Sequence, residues 1–348
     1  MTFPGEGRGP DSLLDPGFRR GTSACATHVG LAAPLSYSAA MERLEGGSAV
    51  PDHLRGGIVA LGNFDGFHAG HQAVVGRAVE RARAERRPVL VATFDPHPVR
   101  FFKPDLPPFR LTTLDQRERL FGAAGADAMI VFRFDAELAA TSAEDFVAGR
   151  LAGRIGAAGL VTGEDFTFGK GRSGNIEVLR SLGAAHGLSV DAVAPVAADG
   201  EPVSSSRIRD ALQAGDCETA ARLLTRPFAI EGVVEHGDKR GRELGYPTAN
   251  LALGKYLRPR YGVYAVRGRL ADGRVLAGAA NLGIRPTFQP PRELLEPYFF
   301  DFSGDLYGQP LEVELIAFLR PERRFDRLDT LTAQMDADCV EARRRLTA

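Results

Sequence analysis

The segment that decides the first half of the fold is Ile58-Val-Ala-Leu61-Gly62-Asn63-Phe64-Asp65-Gly66-Phe67-His68-Ala69-Gly70-His71. Its first four residues form a short apolar run, which is typical of a strand buried on both faces. Gly62 and Gly66 allow the backbone to turn tightly and to approach a ligand closely. A helical pattern follows from about Gly70 to Arg86. We therefore expect a strand, a glycine turn and a helix.

The turn and the start of this helix predict an anion site. Free N–H groups and the helix dipole attract negative charge there. His68 and His71 are three residues apart, so both imidazoles would face the same place. Such donors suit a nucleoside triphosphate whose charge increases during group transfer. A metal site is less well supported, because no cysteine or acidic cluster completes a ligand set.

Strands and helices continue to alternate up to about residue 225. This alternation predicts a doubly wound α/β domain of the Rossmann type, with a parallel sheet whose ligands bind beyond the carboxyl ends of the strands. The later strands are expected at Val89–Phe94, Ala128–Phe134, Gly159–Thr162 and Ser189–Val196, and the later helices at Leu114–Ala124, Ala143–Ile155, Ile176–His186, Ser206–Gln213 and Cys217–Leu224.

From about Arg226 the pattern changes to short strands separated by Gly, Pro and Asp. These predict a small antiparallel β-barrel, which an amphipathic helix from Arg324 to Leu346 would follow. The expected strands are Phe228–Val234, Gly262–Arg269, Val275–Asn281, Leu295–Phe302 and Leu311–Phe318. We thus expect domains at 51–225 and 226–348, after a Gly- and Pro-rich extension, 1–50, that is poorly ordered.

Composition excludes several classes of protein. The 348 residues include 43 basic and 44 acidic side chains, so no general field attracts nucleic acid or an anionic membrane. No apolar run of ~18 residues predicts a transmembrane helix. Cys25, Cys217 and Cys339 form no disulfide framework, which favours the cytoplasm. The sequence does not determine an oligomeric state.

Motifs in the first half resemble those of a known superfamily. His68-Ala69-Gly70-His71 resembles the His-x-Gly-His signature of nucleotidyltransferases, and 203–209, Val-Ser-Ser-Ser-Arg-Ile-Arg, resembles their second, phosphate-binding signature. The segments 93–98 and 163–174 resemble blocks of a narrower family, the bifunctional bacterial riboflavin kinase/FAD synthetases. The resemblance implies catalytic roles for His68, His71 and Arg209, whose guanidinium is a planar fork. The nucleotide-binding residues that it implies are Gly62, Asn63, Phe64, Asp65, Gly66, Gly70, Asp95, Asp165, Ser204, Ser205, Ser206 and Arg207.

The barrel half carries a second group of motifs. Glycines and basic residues between 232 and 245 allow a loop that wraps polyphosphate, although on their own they are more typical of a solvated β-loop. The absence of a Gly-x-x-x-x-Gly-Lys-Ser/Thr motif excludes a P-loop kinase. Residues 245–250, Gly-Tyr-Pro-Thr-Ala-Asn, resemble the riboflavin kinase Pro-Thr-Ala-Asn motif. The resemblance implies that Thr248 and Asn250 hold Mg²⁺ and ATP phosphates. Residues 281–288 resemble the flavin-side loop of that family, which implies that Arg285 and Thr287 bind flavin. Residues 295–308 resemble its segment with the catalytic Glu, which implies that Glu296 accepts the proton of the riboflavin 5′-hydroxyl. The nucleotide-binding residues that it implies here are Gly237, Lys239, Gly241, Gly245, Pro247, Thr248 and Asn250.

The function that the resemblance implies is flavin cofactor synthesis in two steps. The barrel would convert riboflavin and ATP to FMN and ADP, and the α/β domain would convert FMN and ATP to FAD and pyrophosphate. The implied ligands are therefore riboflavin, FMN, FAD, ATP and Mg²⁺.

Three alternatives stay open. Another His-x-Gly-His transferase, acting on pantetheine phosphate, nicotinate mononucleotide or a CTP substrate, would explain the first half only. A monofunctional enzyme would have one degenerate site, and Thr167 and Pro297 depart from the family pattern. A flavin-binding or regulatory protein would use the same scaffold without turnover. NAD binding is disfavoured, because Gly169-Lys-Gly171-Arg-Ser-Gly174 does not directly follow a strand.

Overall fold

The computed structural model describes residues 41–236, 246–285 and 291–347. Two six-stranded sheets dominate it, one in each half of the chain. The first 40 residues, which make up most of the expected extension, lie outside the described residues.

The first sheet is entirely parallel, with strand order β1-β4-β3-β2-β5-β6. Its strands are β1 (Glu42–Glu45), β2 (Ile58–Leu61), β3 (Val89–Asp95), β4 (Ala128–Arg133), β5 (Gly159–Gly163) and β6 (Ser189–Val193). The helices of this half are α1 (Ala69–Glu85), α2 (Pro98–Phe102), α3 (Leu114–Ala123), α4 (Ala136–Ala140), α5 (Ala143–Asp145, continued by a π-helix at Phe146–Ile155), α6 (Ile176–Ala185), α7 (Ser205–Ala214) and α8 (Cys217–Leu224).

Helices cover both faces of this sheet, which confirms the doubly wound prediction. On one face, Val75 of α1 and Phe121 of α3 pack against the central strands. On the other face, Leu151 of the π-helix and Leu179 of α6 do so. Burial on both faces explains why β2 reads as a continuous apolar run rather than as an alternating pattern.

The edge strand β1 is a correction to the expected extension. The prediction that residues up to 50 are poorly ordered is wrong for residues 41–50, since Glu42–Glu45 pairs in parallel with β4 and Val50 is buried. The segment Glu-Arg-Leu-Glu has no apolar run, because a short edge strand that faces solvent tolerates charge. Nothing local in its sequence indicates pairing.

The second sheet is an antiparallel, nearly closed barrel with strand order β10-β13-β12-β11-β14-β9. Its core includes Ile230, Leu282 and Val313. The remaining elements are the hairpin strands β7 (Ala197–Ala198) and β8 (Glu201–Pro202), the barrel strands β9 (Phe228–Val233), β10 (Leu251–Ala252), β11 (Gly262–Leu270), β12 (Val275–Arg285), β13 (Arg292–Phe299) and β14 (Pro310–Arg320), and the terminal helix α9 (Leu328–Thr347). The barrel and its terminal helix agree with the prediction.

The two halves share one hydrophobic core. Leu111 and Leu224 from the first half pack in the same cluster as Phe228 of the barrel. The backbone of Arg110 also pairs with the barrel half, since its carbonyl accepts from Leu257 N–H at 2.8 Å. This packing fixes the segment 109–112 against both halves.

Candidate active sites

The two predicted histidines lie together where α1 begins. His68 caps the helix, because its Nδ1 accepts a hydrogen bond from the His71 N–H at 3.4 Å. The two imidazoles stack, with ring centroids 3.6 Å apart. A Cβ atom on Gly70 would lie 3.2 Å from the His68 ring, so the glycine leaves room for this stack.

Both histidines are neutral near pH 7. Burial lowers the pKa of His68 to about 4, although the charge of Asp65 opposes this shift. Burial also holds the pKa of His71 well below its usual range, and the charges around it add to the effect. Each neutral imidazole offers one N–H donor.

A second helix begins beside the histidines. Ser204 caps α7 by accepting from the Arg207 N–H at 3.3 Å. A Cβ atom on Gly70 would lie 3.7 Å from the Val203 carbonyl oxygen, so the starts of α1 and α7 meet. Two converging helix N-termini concentrate positive potential and free N–H groups at one place.

Asp65 connects the turn before α1 to α7 through its side chain. It is only 1% exposed, and its Oδ2 lies 2.7 Å from Arg209 Nη2. Its Oδ1 accepts from the N–H groups of Leu111 at 3.0 Å and Thr112 at 3.1 Å. Burial by itself would raise the pKa of Asp65, but Arg117 and Arg209 outweigh it and the pKa is lowered. The carboxylate is therefore ionised, and both of its oxygens accept hydrogen bonds from protein groups.

Arg117 is a buried residue of the candidate site that sequence reasoning missed. It is fully buried in α3 and lies 3.7 Å from Asp65. Its guanidinium donates at 3.2 Å to the carbonyl of Asn63 and to the hydroxyl of Thr93. The sequence did contain one signal for its burial. Arg117 precedes the apolar Phe121 by four residues, and that spacing puts both side chains on the same, buried face of the helix.

The remaining predicted residues of this half divide into two groups. Ser205 donates to the Asp65 carbonyl at 2.9 Å, whereas Ser206 is exposed and Arg207 donates to the hairpin carbonyl of Glu201 at 2.9 Å. Asp95 forms an ion pair with Arg110, and Asp165 is exposed after β5. The other members form the turn after β2: Gly62, Asn63, Phe64, which is buried edge-on beneath His71, and Gly66, which has a φ of 86°.

In the barrel half, the outer face of β13 brings predicted residues together. The β10–β13 register pairs Leu251 with Leu295, and the Ala249 N–H donates to the Pro297 carbonyl at 2.9 Å. Continuing this register places Asn250 opposite Glu296, and side chains at opposite positions are neighbours. By the same register Thr248 lies opposite Tyr298.

Pro297 does not interrupt the strand. β13 stays in register with β12 through the pair Ala280 and Pro297. The Pro297 carbonyl points toward Ala249, and a residue's N–H points to the same side as its C=O in an antiparallel strand. The missing N–H therefore costs no hydrogen bond to β12.

Arg285 lies between two carboxylates at this face. Its Nη2 donates to Glu296, and its Nη1 lies 3.5 Å from Glu322. Asn281, opposite Glu296 on β12, donates to Glu322 at 3.2 Å. Sequence reasoning missed Glu322, since its place beside β12 depends on the path of the chain after β14.

A cavity of about 390 Å³ lies between the outer face of β13 and α9. Tyr298 of β13 and Phe300, which directly follows this strand, form one wall, and Tyr246 forms another. The third wall is α9, where Asp336 accepts a hydrogen bond from the Tyr246 hydroxyl. The cavity is lined by Tyr246, Tyr298, Phe300, Thr332, Asp336, Cys339 and Arg343.

Some predicted residues of the barrel half lie outside the described residues. These are Gly237, Lys239, Gly241, Gly245 and Thr287. Pro247 is described and exposed.

Comparison with known proteins decides the family. A family model for FAD synthetase matches residues 50–207, and one for riboflavin kinase matches residues 224–346. The chain belongs to the bifunctional riboflavin kinase/FMN adenylyltransferase family. The bifunctional enzyme of Pseudomonas fluorescens is 41% identical over 294 residues, which cover 84% of this chain and 94% of that one. The enzyme of Escherichia coli K12 is 38% identical over 288 residues, covering 83% and 92%.

A solved structure shares the fold. It is a crystal structure described as a macrolide-efflux protein from Streptococcus pneumoniae, with a TM-score of 0.77 and 30% identity. The match covers 86% of this chain and 97% of the streptococcal one. Among the residues that the structure describes, no helix is long and apolar enough to cross a membrane.

Family membership confirms the predicted function. The chain is an enzyme with an N-terminal FAD synthetase half and a C-terminal riboflavin kinase half. It phosphorylates riboflavin to FMN with ATP, and it adenylylates FMN with ATP to give FAD and pyrophosphate. A transferase acting on pantetheine phosphate or nicotinate mononucleotide is thereby excluded.

Proposed function

We propose that adenylyl transfer takes place where α1 and α7 begin, and that riboflavin is phosphorylated on the outer face of β13. The observation that supports the first assignment most is the convergence of two helix N-termini at Gly70 and Val203. The observation that supports the second is the register that places Asn250 opposite Glu296.

In adenylyl transfer, the FMN phosphate oxygen bonds to the α-phosphorus of ATP as the bond to the leaving pyrophosphate breaks. The helix N–H groups and the neutral His68 and His71 donate to the phosphate oxygens, where negative charge increases. Asp65, Arg117 and Arg209 together carry one net positive charge beneath this place, since one carboxylate faces two guanidinium groups. We propose that Asp65 and Arg117 position the site while the histidines contact the nucleotide.

In the kinase reaction, the 5′-oxygen of riboflavin bonds to the γ-phosphorus of ATP as ADP leaves. Glu296 accepts the hydroxyl proton during this attack. Tyr298 lies two residues further along the same face of β13, roughly 7 Å away at ~3.4 Å per residue. A flavin ring packed in the cavity against Tyr298 would thus present its ribityl chain toward Glu296.

The donor set of the barrel fits Mg²⁺. The Thr248 hydroxyl and the Asn250 side-chain oxygen are hard oxygen ligands, and Mg²⁺ in kinases takes few protein ligands besides the substrate phosphates. When bound, the ion would neutralise charge on the ATP phosphates. What supports this assignment is the β10–β13 register, which, continued, puts Asn250 opposite Glu296 and Thr248 opposite Tyr298.

One time course tests the whole assignment. Purified enzyme is incubated with riboflavin, ATP and Mg²⁺, and FMN and FAD are separated by chromatography. We expect His71→Ala to accumulate FMN without FAD, and Glu296→Gln to convert supplied FMN to FAD but to make no FMN. Loss of both activities in a folded variant would contradict the two-site assignment.

The cytoplasmic location and the lack of a nucleic-acid partner stay predictions. Cys217 and Cys339 are free thiols in the structure.

A further inference from the structure

Glu322, in the segment between β14 and α9, lies against the outer face of β12. It accepts a hydrogen bond from Asn281 at 3.2 Å and lies 3.5 Å from Arg285 Nη1. Gly283 lies between these two residues in sequence, and a Cβ atom there would overlap the Glu322 carboxylate. The carboxylate is thus closely packed on this strand, although its side chain is 38% exposed.

The Arg285 guanidinium therefore contacts two carboxylates, those of Glu296 and Glu322. Arg285 contacts Oε2 of Glu296 through Nη2, while Nη1 faces Glu322. Burial lowers the pKa of Arg285, and the charge of Glu322 opposes this shift, in line with the 3.5 Å between the two groups. Guanidinium and carboxylate groups readily form bidentate pairs, with two parallel hydrogen bonds. Without Glu322, Arg285 would be free to bind both oxygens of Glu296.

We propose that Glu322 is a positioning residue for riboflavin phosphorylation. By holding one arm of Arg285, it limits that guanidinium to a single oxygen of Glu296. The other oxygen, Oε1, then faces the riboflavin 5′-hydroxyl and accepts its proton. This inference rests on the proposed role of Glu296 as the base.

The first test is Glu322→Gln, which keeps the size of the side chain and removes its charge. We expect kcat for FMN formation to fall about tenfold, the effect of one added charged hydrogen bond on the base. The KM for riboflavin and the conversion of FMN to FAD should stay as in the wild type. Glu322→Asp should recover part of the lost kcat. Asp326→Asn, an exposed carboxylate four residues away, is the matched control.

A second variant perturbs the same contact without changing any charge. Gly283→Ala should displace Glu322 and lower kcat similarly, and combining it with Glu322→Gln should add little. Gly149→Ala is its control, because a Cβ atom on that glycine of the π-helix meets nothing within 4 Å. In an Arg285→Lys background, where no fork exists, Glu322→Gln should have little effect.

The outcomes separate this inference from the proposed function. An inactive Glu296→Gln with an unchanged kcat in Glu322→Gln would overturn the role of Glu322 and leave that of Glu296 intact. A fully active Glu296→Gln would overturn both. A fall in FMN-to-FAD conversion equal to the fall in kinase activity would show a general structural role for Glu322 and would reject the proposal.

Discussion

Arg209 Nη2 lies 2.7 Å from Asp65 Oδ2, although 144 residues separate the two in sequence. The pair joins the glycine turn after β2 to the helix α7, and the Arg209 Nε also donates to the Phe109 carbonyl at 2.8 Å. The motif resemblance implies nucleotide binding for Asp65 and a catalytic role for Arg209. The structure instead has their charged groups paired with each other.

Asp65→Asn should therefore destabilise the enzyme strongly. The change leaves the buried Arg117 and the largely buried Arg209 without a compensating charge, and breaking a buried pair costs about 3–5 kcal/mol. Urea denaturation gives the loss of unfolding free energy. Asp105→Asn, an exposed loop carboxylate, should change it little, and a wild-type midpoint for Asp65→Asn would contradict the role given to this residue.

Gly70→Ala should impair FAD formation selectively. The new Cβ lies 3.2 Å from the His68 ring, so the stacked imidazoles must shift, and we expect roughly a tenfold loss at a site where misplacement is costly. FMN formation should be unaffected. The control is Gly76→Ala in the same helix, where a Cβ meets nothing within 4 Å; equal losses in the two variants would show a helix effect instead.

Acidification should destabilise the enzyme through its buried histidines. Burial lowers the pKa of both His68 and His97 to about 4 in the folded protein, against an ordinary value of 6.5. The unfolded chain therefore binds more protons between these values, and stability falls as pH falls through that window. Each histidine contributes up to about 1.4 kcal/mol per pH unit.

The measurement is urea denaturation at pH 7 and pH 5. His97→Gln should reduce the pH dependence relative to the wild type, whereas His186→Gln, at an exposed position after α6, should not. An identical pH dependence in wild type and His97→Gln would refute the assignment for that residue.

Tyr298→Ala should raise the KM for riboflavin. The tyrosine forms one wall of the cavity beside Glu296, so its removal takes away ring contact that the flavin would otherwise make, worth about 1 kcal/mol or more. Steady-state kinetics should show at least a fivefold higher KM, with FMN-to-FAD conversion unchanged. Tyr307→Ala, an aromatic change outside this cavity, is the comparison; an unaltered riboflavin KM in Tyr298→Ala would place the flavin elsewhere.

Gln116→Ala should weaken the contact between the two halves. Its side-chain N–H donates to the Ala229 carbonyl at 3.2 Å. Its side-chain oxygen accepts a hydrogen bond from the buried Tyr256 hydroxyl at 2.9 Å. Leaving those groups unpaired costs about 1–3 kcal/mol. Thermal unfolding, followed through each activity separately, should show a lower midpoint for both activities together; independent midpoints would mean that the halves unfold separately.

The sequence predicts the elements of this fold because their signals are local. The apolar run Ile58–Leu61 and the capped helix after it are readable from neighbouring residues, and so are the motifs around His68 and Glu296. β1 is different, since its charged segment becomes a strand only because β4 offers a free edge.

The parts of the sites that could not be predicted depend on distant partners. Asp65 and Glu296 are recognisable from their motifs as candidate site residues, but whether each faces a ligand or an arginine is decided by chain segments far away. Arg117 and Glu322 belong to no motif, and their positions follow from tertiary packing.

The backbone pairing of Arg110 with Leu257 has a consequence for anyone dividing this enzyme into two. Residues 109–112 precede the kinase half by more than a hundred positions in sequence, yet they pack against it. Leu111 is part of its hydrophobic core. A kinase fragment beginning near residue 226 would present a bare apolar surface to water and would be prone to aggregate. A soluble fragment would need polar substitutions on that surface, or a fused peptide equivalent to 109–112.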